Sequence, residues 1–137
     1  MEIPSRKRLE KLECGVVIGN TNKGATPRKT ARLVKHVADL RKEYPELIDP
    51  IISTIGSFSK KGEILVKKKD YISLGKLMNV NHGLLDSLGV GTAELSALVY
   101  AARKAGAYGA KITGAGGGGC MVALTDSPDD VALAIEN

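Results

Sequence analysis

The sequence predicts an α+β fold built on a small sheet, and three observations carry that prediction. Short apolar runs at residues 13–20, just before Gly114 and just after Gly119 have the length and the polar bounds of strands. Between and after them, apolar residues recur every three or four positions, the period of helices buried by one face. Proline and glycine punctuate the joins. A chain of 137 residues suits one domain of ordinary size, or part of a larger enzyme.

Residues 13–20 (Glu-Cys-Gly-Val-Val-Ile-Gly-Asn) read as a buried strand, and 21–26 as a loop rich in Gly, Asn and Thr. Thr26-Pro27 opens the first helix, with a hydroxyl at the N-cap and proline at the first helical position. Leu33, Val34, Val37 and Leu40 form its apolar stripe, and Tyr44-Pro45 ends it. A second helix opens between Pro45 and Pro50, where proline is tolerated in the first turn. Ile48, Ile51, Ile52, Ile55, Phe58, Leu65 and Val66 share a face with Gly62, so one long helix to about Lys68 is expected. A short strand at residues 64–66 is the alternative.

Residues 70–88 carry the clearest helical pattern: Leu74, Leu77, Met78, Asn81, Leu84, Leu85 and Leu88, with Gly89 as the stop. Asn81 is an amide on the apolar face, flanked by Asn79 and His82. A buried amide needs partners, because stranding one costs about 1–3 kcal/mol. Asn81 therefore either holds a neighbouring loop or aims a polar group into a site. His82 by itself reads as a surface or packing residue. Thr92 caps a fourth helix carrying Leu95, Leu98, Val99 and Ala102 and stopped at Gly106. Ser127-Pro128-Asp129-Asp130 opens a fifth, with cap, proline and first-turn acids in place. No internal repeat is present.

Residues 111–124, Lys-Ile-Thr-Gly-Ala-Gly-Gly-Gly-Gly-Cys-Met-Val-Ala-Leu, place five glycines within six positions. Glycine reaches φ > 0 and lets a backbone approach another group closely. The run reads as strand, tight loop, strand. Such a loop can turn its N–H groups toward an anion, or it can simply let two strands pack. It is not a Walker loop, since no Gly-Lys-Ser/Thr ends it, nor a dinucleotide fingerprint, since a strand follows it.

Composition narrows the classes. Hydrophobic residues make up 43% of the chain, enough for a core, but aromatics only 4%, so aliphatic side chains and alanine must fill it. No run approaches the roughly 18 apolar residues of a membrane span. Residues 1–13 lack the apolar centre of a secretory signal. Cys14 and Cys120 have no metal-ligand spacing and read as buried thiols of a reducing cytoplasm. The net charge of +5 raises nucleic acid as a partner. No aromatics interleave the clusters Lys60-Lys61 and Lys67-Lys68-Lys69, so these read as a solvated helix face and no nucleic acid is expected. Positive charge also suits an enzyme that handles a polyphosphate.

The glycine run resembles the third motif of the GHMP kinases, the superfamily of galactokinase, homoserine kinase, mevalonate kinase and phosphomevalonate kinase. Residues 77–90, Leu-Met-Asn-Val-Asn-His-Gly-Leu-Leu-Asp-Ser-Leu-Gly-Val, resemble the preceding helix of the mevalonate kinases of archaeal or bacterial type. Residues 14–21 and 30–37 resemble the first strand and helix of the same domain, and the likeness runs over about 13–135.

The resemblance implies a ferredoxin-like GHMP kinase C-terminal domain over residues 13–137, after a lead-in at 1–12: a small, mostly antiparallel sheet covered by helices. Family members also have an N-terminal half with a Pro-x-x-x-Gly-Leu-Gly-Ser-Ser-Ala phosphate loop, a catalytic aspartate and lysine, and Mg²⁺ ligands. None of these motifs is in this sequence, nor is a closing strand after Pro128. The expectation is thus a C-terminal domain without its N-terminal ATP-binding domain and last strand, with an exposed strand edge open to pairing.

The implied reaction is transfer of the ATP γ-phosphate to mevalonate in isoprenoid precursor synthesis. ATP and Mg²⁺ serve the complete enzyme, neither is held strongly by this chain, and no catalytic or metal-binding residue lies in it. The implied partners are the N-terminal half, mevalonate and ATP, with a homodimer open to it. Thr113, Gly114, Ala115, Gly116 and Gly117 are the implied phosphate- and substrate-proximal residues. Asn81, Lys111 and Thr21 are implied in support, the last with Asn20 and Lys23 on the opposite wall. Another GHMP small-molecule kinase, acting on phosphomevalonate or homoserine, and a noncatalytic module that keeps the fold are the other readings.

Overall fold

A computed structural model describes residues 14–20, 27–113 and 119–136, with the backbone alone for 27–30. The order is β1 (Gly15–Asn20), α1 (Pro27–Glu43), α2 (Pro45–Lys67), α3 (Tyr71–Ser87), α4 (Ala93–Lys104), β2 (Gly109–Ile112), β3 (Cys120–Thr125) and α5 (Pro128–Glu136). The three strands form one antiparallel sheet in the order β1-β3-β2. β3, last in sequence, is central because β1 and β2 both pair with it.

Local signals explain most boundaries. Asp70 caps α3 by accepting from the Ser73 N–H at 3.2 Å, and the Thr92 hydroxyl caps α4 by accepting from the Leu95 N–H at 3.2 Å. Gly89 and Gly106 follow α3 and α4 with φ of +80° and +100°. The Val90 N–H reaches back to the Leu85 carbonyl and the Ala107 N–H to the Ala102 carbonyl, closing both helices with Schellman turns. α2 ends in the same turn with Lys69, at φ 57°, in the glycine's place. The Ser127 hydroxyl, expected to cap α5, donates to Asp126 Oδ1 instead, at 3.2 Å.

α2 is one helix through residues 64–66, so the strand alternative there is wrong. It also continues through Pro50, beyond the first turn. That position costs one main-chain hydrogen bond, which packing of the Ile48, Ile51 and Ile55 face against the core offsets. Ile52 and Val34 do not join that face. They line an apolar groove of about 740 Å³ between α1 and α2, near the Arg41–Asp49 ion pair at 2.6 Å. The lysines at 60, 61 and 67–69 are exposed.

One face of the sheet is the core. Register places Val17 opposite Ala123, and Met121 opposite both Gly19 and Ile112. Ala110, Ile112, Met121 and Ala123 are fully buried beneath Leu95, Val99 and Ala102 of α4 and Val131 of α5. The alternate residues Val16 and Ile18 are exposed on the other face, as a period of two requires.

Among the described residues the edge of β2 is covered. α3 lies against it, and the approach is so close that the Gly75 and Gly109 backbones touch. A Cβ on Gly75 would overlap the Tyr108 carbonyl, and one on Gly109 would overlap the Gly75 main chain.

Candidate functional site

β2 and β3 are the two arms of the glycine loop. The Thr113 N–H donates to the Cys120 carbonyl at 2.9 Å, closing the ladder at the loop's base. The Thr113 hydroxyl donates to the same carbonyl at 3.1 Å. Thr113 therefore clamps the two arms, and its oxygen lone pairs remain to accept from a ligand. Gly114, Ala115, Gly116 and Gly117 lie outside the described residues, as do Thr21 and Lys23. Register still relates the two walls. Asn20, the last residue of β1, stands opposite Cys120, the first of β3. Asn20 and Thr113 thus stand at the same end of the sheet.

Lys111 shares a strand face with Thr113 by the period of two. Its ammonium turns back to donate to the Ile112 carbonyl at 2.7 Å. Burial pulls its pKa below the usual lysine range, with no opposing carboxylate among the described residues to restore it.

Lys111 and Asn81 line one pocket of about 300 Å³, walled by Phe58, Leu74, Leu77 and Met78. The sequence reading is right that Asn81 faces inward. Its Oδ1 is buried with no hydrogen-bond partner among the described residues, so the expected bond to a loop or helix is not seen there.

The polar residues that do engage the sheet are its neighbours. Asn79 Oδ1 accepts from the Ala110 N–H at 3.0 Å. His82 Nδ1 accepts from the Ile112 N–H at 3.3 Å. From α4, Arg103 Nη2 donates to the Ala110 carbonyl at 3.0 Å while its guanidinium stacks 5.3 Å from the Tyr100 ring centre. His82 is 3% exposed, so of the two readings, surface or packing residue, the packing one holds. Its pKa is lowered, first by burial and then by Arg103 and Lys111, with Asp86 opposing.

α3 therefore has two working stripes. Leu74, Leu77 and Asn81 face α2, while Gly75, Asn79 and His82 face β2. The second stripe was legible as positions i, i+4 and i+7, but sequence reasoning took only the apolar one. Among the described residues no group of three His, Cys, Asp or Glu could hold a metal, and no helix is long and apolar enough to cross a membrane.

A threonine that clamps the strands leading into and out of a glycine run, on a helix-covered antiparallel sheet, defines a class. The chain belongs to the GHMP kinase family: the family described as GHMP kinases C terminal matches residues 63–137, more than half of the chain. Within it, the chain is 52% identical to a mevalonate kinase of Thermococcus gammatolerans over 130 residues, 90% of this chain and 38% of that protein. It is 50% identical to one of Pyrococcus horikoshii over 131 residues, 91% of this chain and 38% of that protein. The chain thus spans about 40% of the length of the curated relatives it matches. A crystal structure of L. major mevalonate kinase in complex with R-mevalonate superimposes with a TM-score of 0.80 at 30% identity, covering 88% of this chain and 37% of that one. Lactococcus lactis galactokinase, at 22% identity and a TM-score of 0.69 over 91% of this chain and 41% of that one, shares the fold.

Proposed function

We propose that this chain forms the C-terminal wall of the active-site cleft in an ATP-dependent mevalonate kinase of the cytoplasm. The observation that supports it most is the 52% identity to a mevalonate kinase over 90% of the chain, joined to a loop base built for close approach. In this reading residues 13–137 are the domain, and an N-terminal half is its partner.

Phosphoryl transfer depends on positioning and on spreading the charge of the transferred group. This chain's share is positional. Thr113 fixes the two arms of the loop through the Cys120 carbonyl and presents its oxygen toward phosphate or mevalonate. In this reading residues 114–117, three glycines and an alanine, let main-chain N–H groups come close to the ligand. Lys111 on β2 and Asn81 on α3 line one pocket beside the strand, and in this reading Thr21, which follows β1 in sequence, serves the opposite wall. Mg²⁺, bound by residues outside this chain, would neutralise phosphate charge. In this reading the general base, too, comes from the N-terminal half.

The test is a coupled ADP-release assay. The chain alone gives no mevalonate-dependent turnover. Mixed with the N-terminal portion of a curated relative, it does. Turnover by the chain alone would refute the division of labour. Reconstituted turnover with homoserine or phosphomevalonate in place of mevalonate would refute the substrate.

A further inference from the structure

Among the described residues, β2 is an edge strand, and its outward main-chain groups belong to Ala110 and Ile112. All of them meet side chains: both N–H groups find acceptors on α3, and both carbonyls find the cations of Arg103 and Lys111. Residues three apart on a helix share a face, and N–H groups two apart on a strand share an edge. Asn79 and His82 therefore stand where a further strand would offer its carbonyls. Gly75 permits it, since a side chain there would hold α3 off.

Ile112 is bonded directly to Thr113, whose N–H and hydroxyl both close on Cys120. A tilt or slip of β2 moves Thr113 and the start of the loop with it. We propose that Asn79 and His82 are positioning residues for the glycine loop, holding through the Ala110 and Ile112 amides the strand from which Thr113 departs. The proposal rests on the functional reading above.

The bond to Ile112 needs a lone pair on His82 Nδ1, so the proton of the neutral ring sits on Nε2. A protonated ring has no acceptor to offer. The charged groups that face it are Asp86 on α3, Arg103 on α4 and Lys111 on β2. Burial first, and then both cations, disfavour protonation, so the acceptor persists at neutral pH.

His82→Asn places an amide oxygen as many bonds from Cα as Nδ1, and it does not titrate. His82→Leu fills the space and cannot accept. Both variants are made in the kinase assembled from this chain and an N-terminal portion, and read by amide hydrogen exchange and steady-state kinetics. For His82→Leu, exchange at the Ile112 amide rises about tenfold, as expected when a buried N–H loses its partner. The acceleration spreads into residues 113–118, and kcat falls about tenfold or more with little change in KM. His82→Asn stays near wild type in both. It also lacks the acid-side rise in Ile112 exchange that wild type shows.

Equal behaviour of the two variants overturns the proposal, as does acceleration confined to Ile112 or faster exchange with unchanged kcat. Should the wild-type assembly lack turnover with mevalonate, the functional reading fails by itself, and the spread of exchange into residues 113–118 still decides the positioning. Asn79→Ala gives the same two readouts where the leucine variant does not fold.

Discussion

Replacing Gly75 by alanine adds one methyl group at the closest approach of α3 to β2. Its Cβ would overlap the Tyr108 main chain, and a carbonyl at the mouth of an edge strand cannot rotate away as a flexible side chain could. Overpacking of this kind costs about 1–3 kcal/mol. Any shift of α3 that relieves it also draws Asn79 and His82 from the Ala110 and Ile112 amides. Each buried group left stranded adds about 1–3 kcal/mol. The better helix propensity of alanine returns about 1 kcal/mol. With partial displacement, the net is a destabilisation of about 2–5 kcal/mol.

Gly83, on the same helix with nothing within 4 Å of an added Cβ, is the control. There the propensity gain stands alone, so Gly83→Ala stabilises by about 0.5–1 kcal/mol. Urea unfolding of the chain, followed by helical circular dichroism, measures both. Opposite signs are expected. A Gly75→Ala midpoint at or above that of Gly83→Ala would refute the backbone contact and the edge covering built on it.

Three further outcomes follow from the same geometry. Asn81→Leu removes a buried, unpartnered amide oxygen from an apolar pocket, so urea unfolding should show equal or greater stability, by up to about 1–3 kcal/mol. The lowered pKa of His82 means that the unfolded chain takes up this proton first; stability should fall as pH drops below the ordinary value of 6.5, and level off once the folded form protonates. Unfolding midpoints across that range should fall more for wild type than for His82→Asn. In the assembled kinase, Thr113→Ala should keep its thermal stability and lose roughly tenfold to a thousandfold in kcat, while Thr113→Ser retains most activity; wild-type kinetics for Thr113→Ala would confine the hydroxyl to clamping the strands.

Helix limits were legible in the chain because capping is local. Asp70, Thr92, Gly89 and Gly106 act on main-chain groups within a few residues of themselves, so spacing alone reveals them. The strand–loop–strand about Gly114 and the family it marks were legible for the same reason. The face of α3 that matters most to the loop was not. Asn79 and His82 find their partners 31 and 30 residues away. Periodicity reports where apolar side chains gather, not which main-chain group will lie opposite a polar one. Only the docking of α3 on β2, at a distance set by two facing glycines, decided that His82 would be an acceptor inside the protein. The same docking left Oδ1 of Asn81, one residue earlier on the helix, without a partner among the described residues.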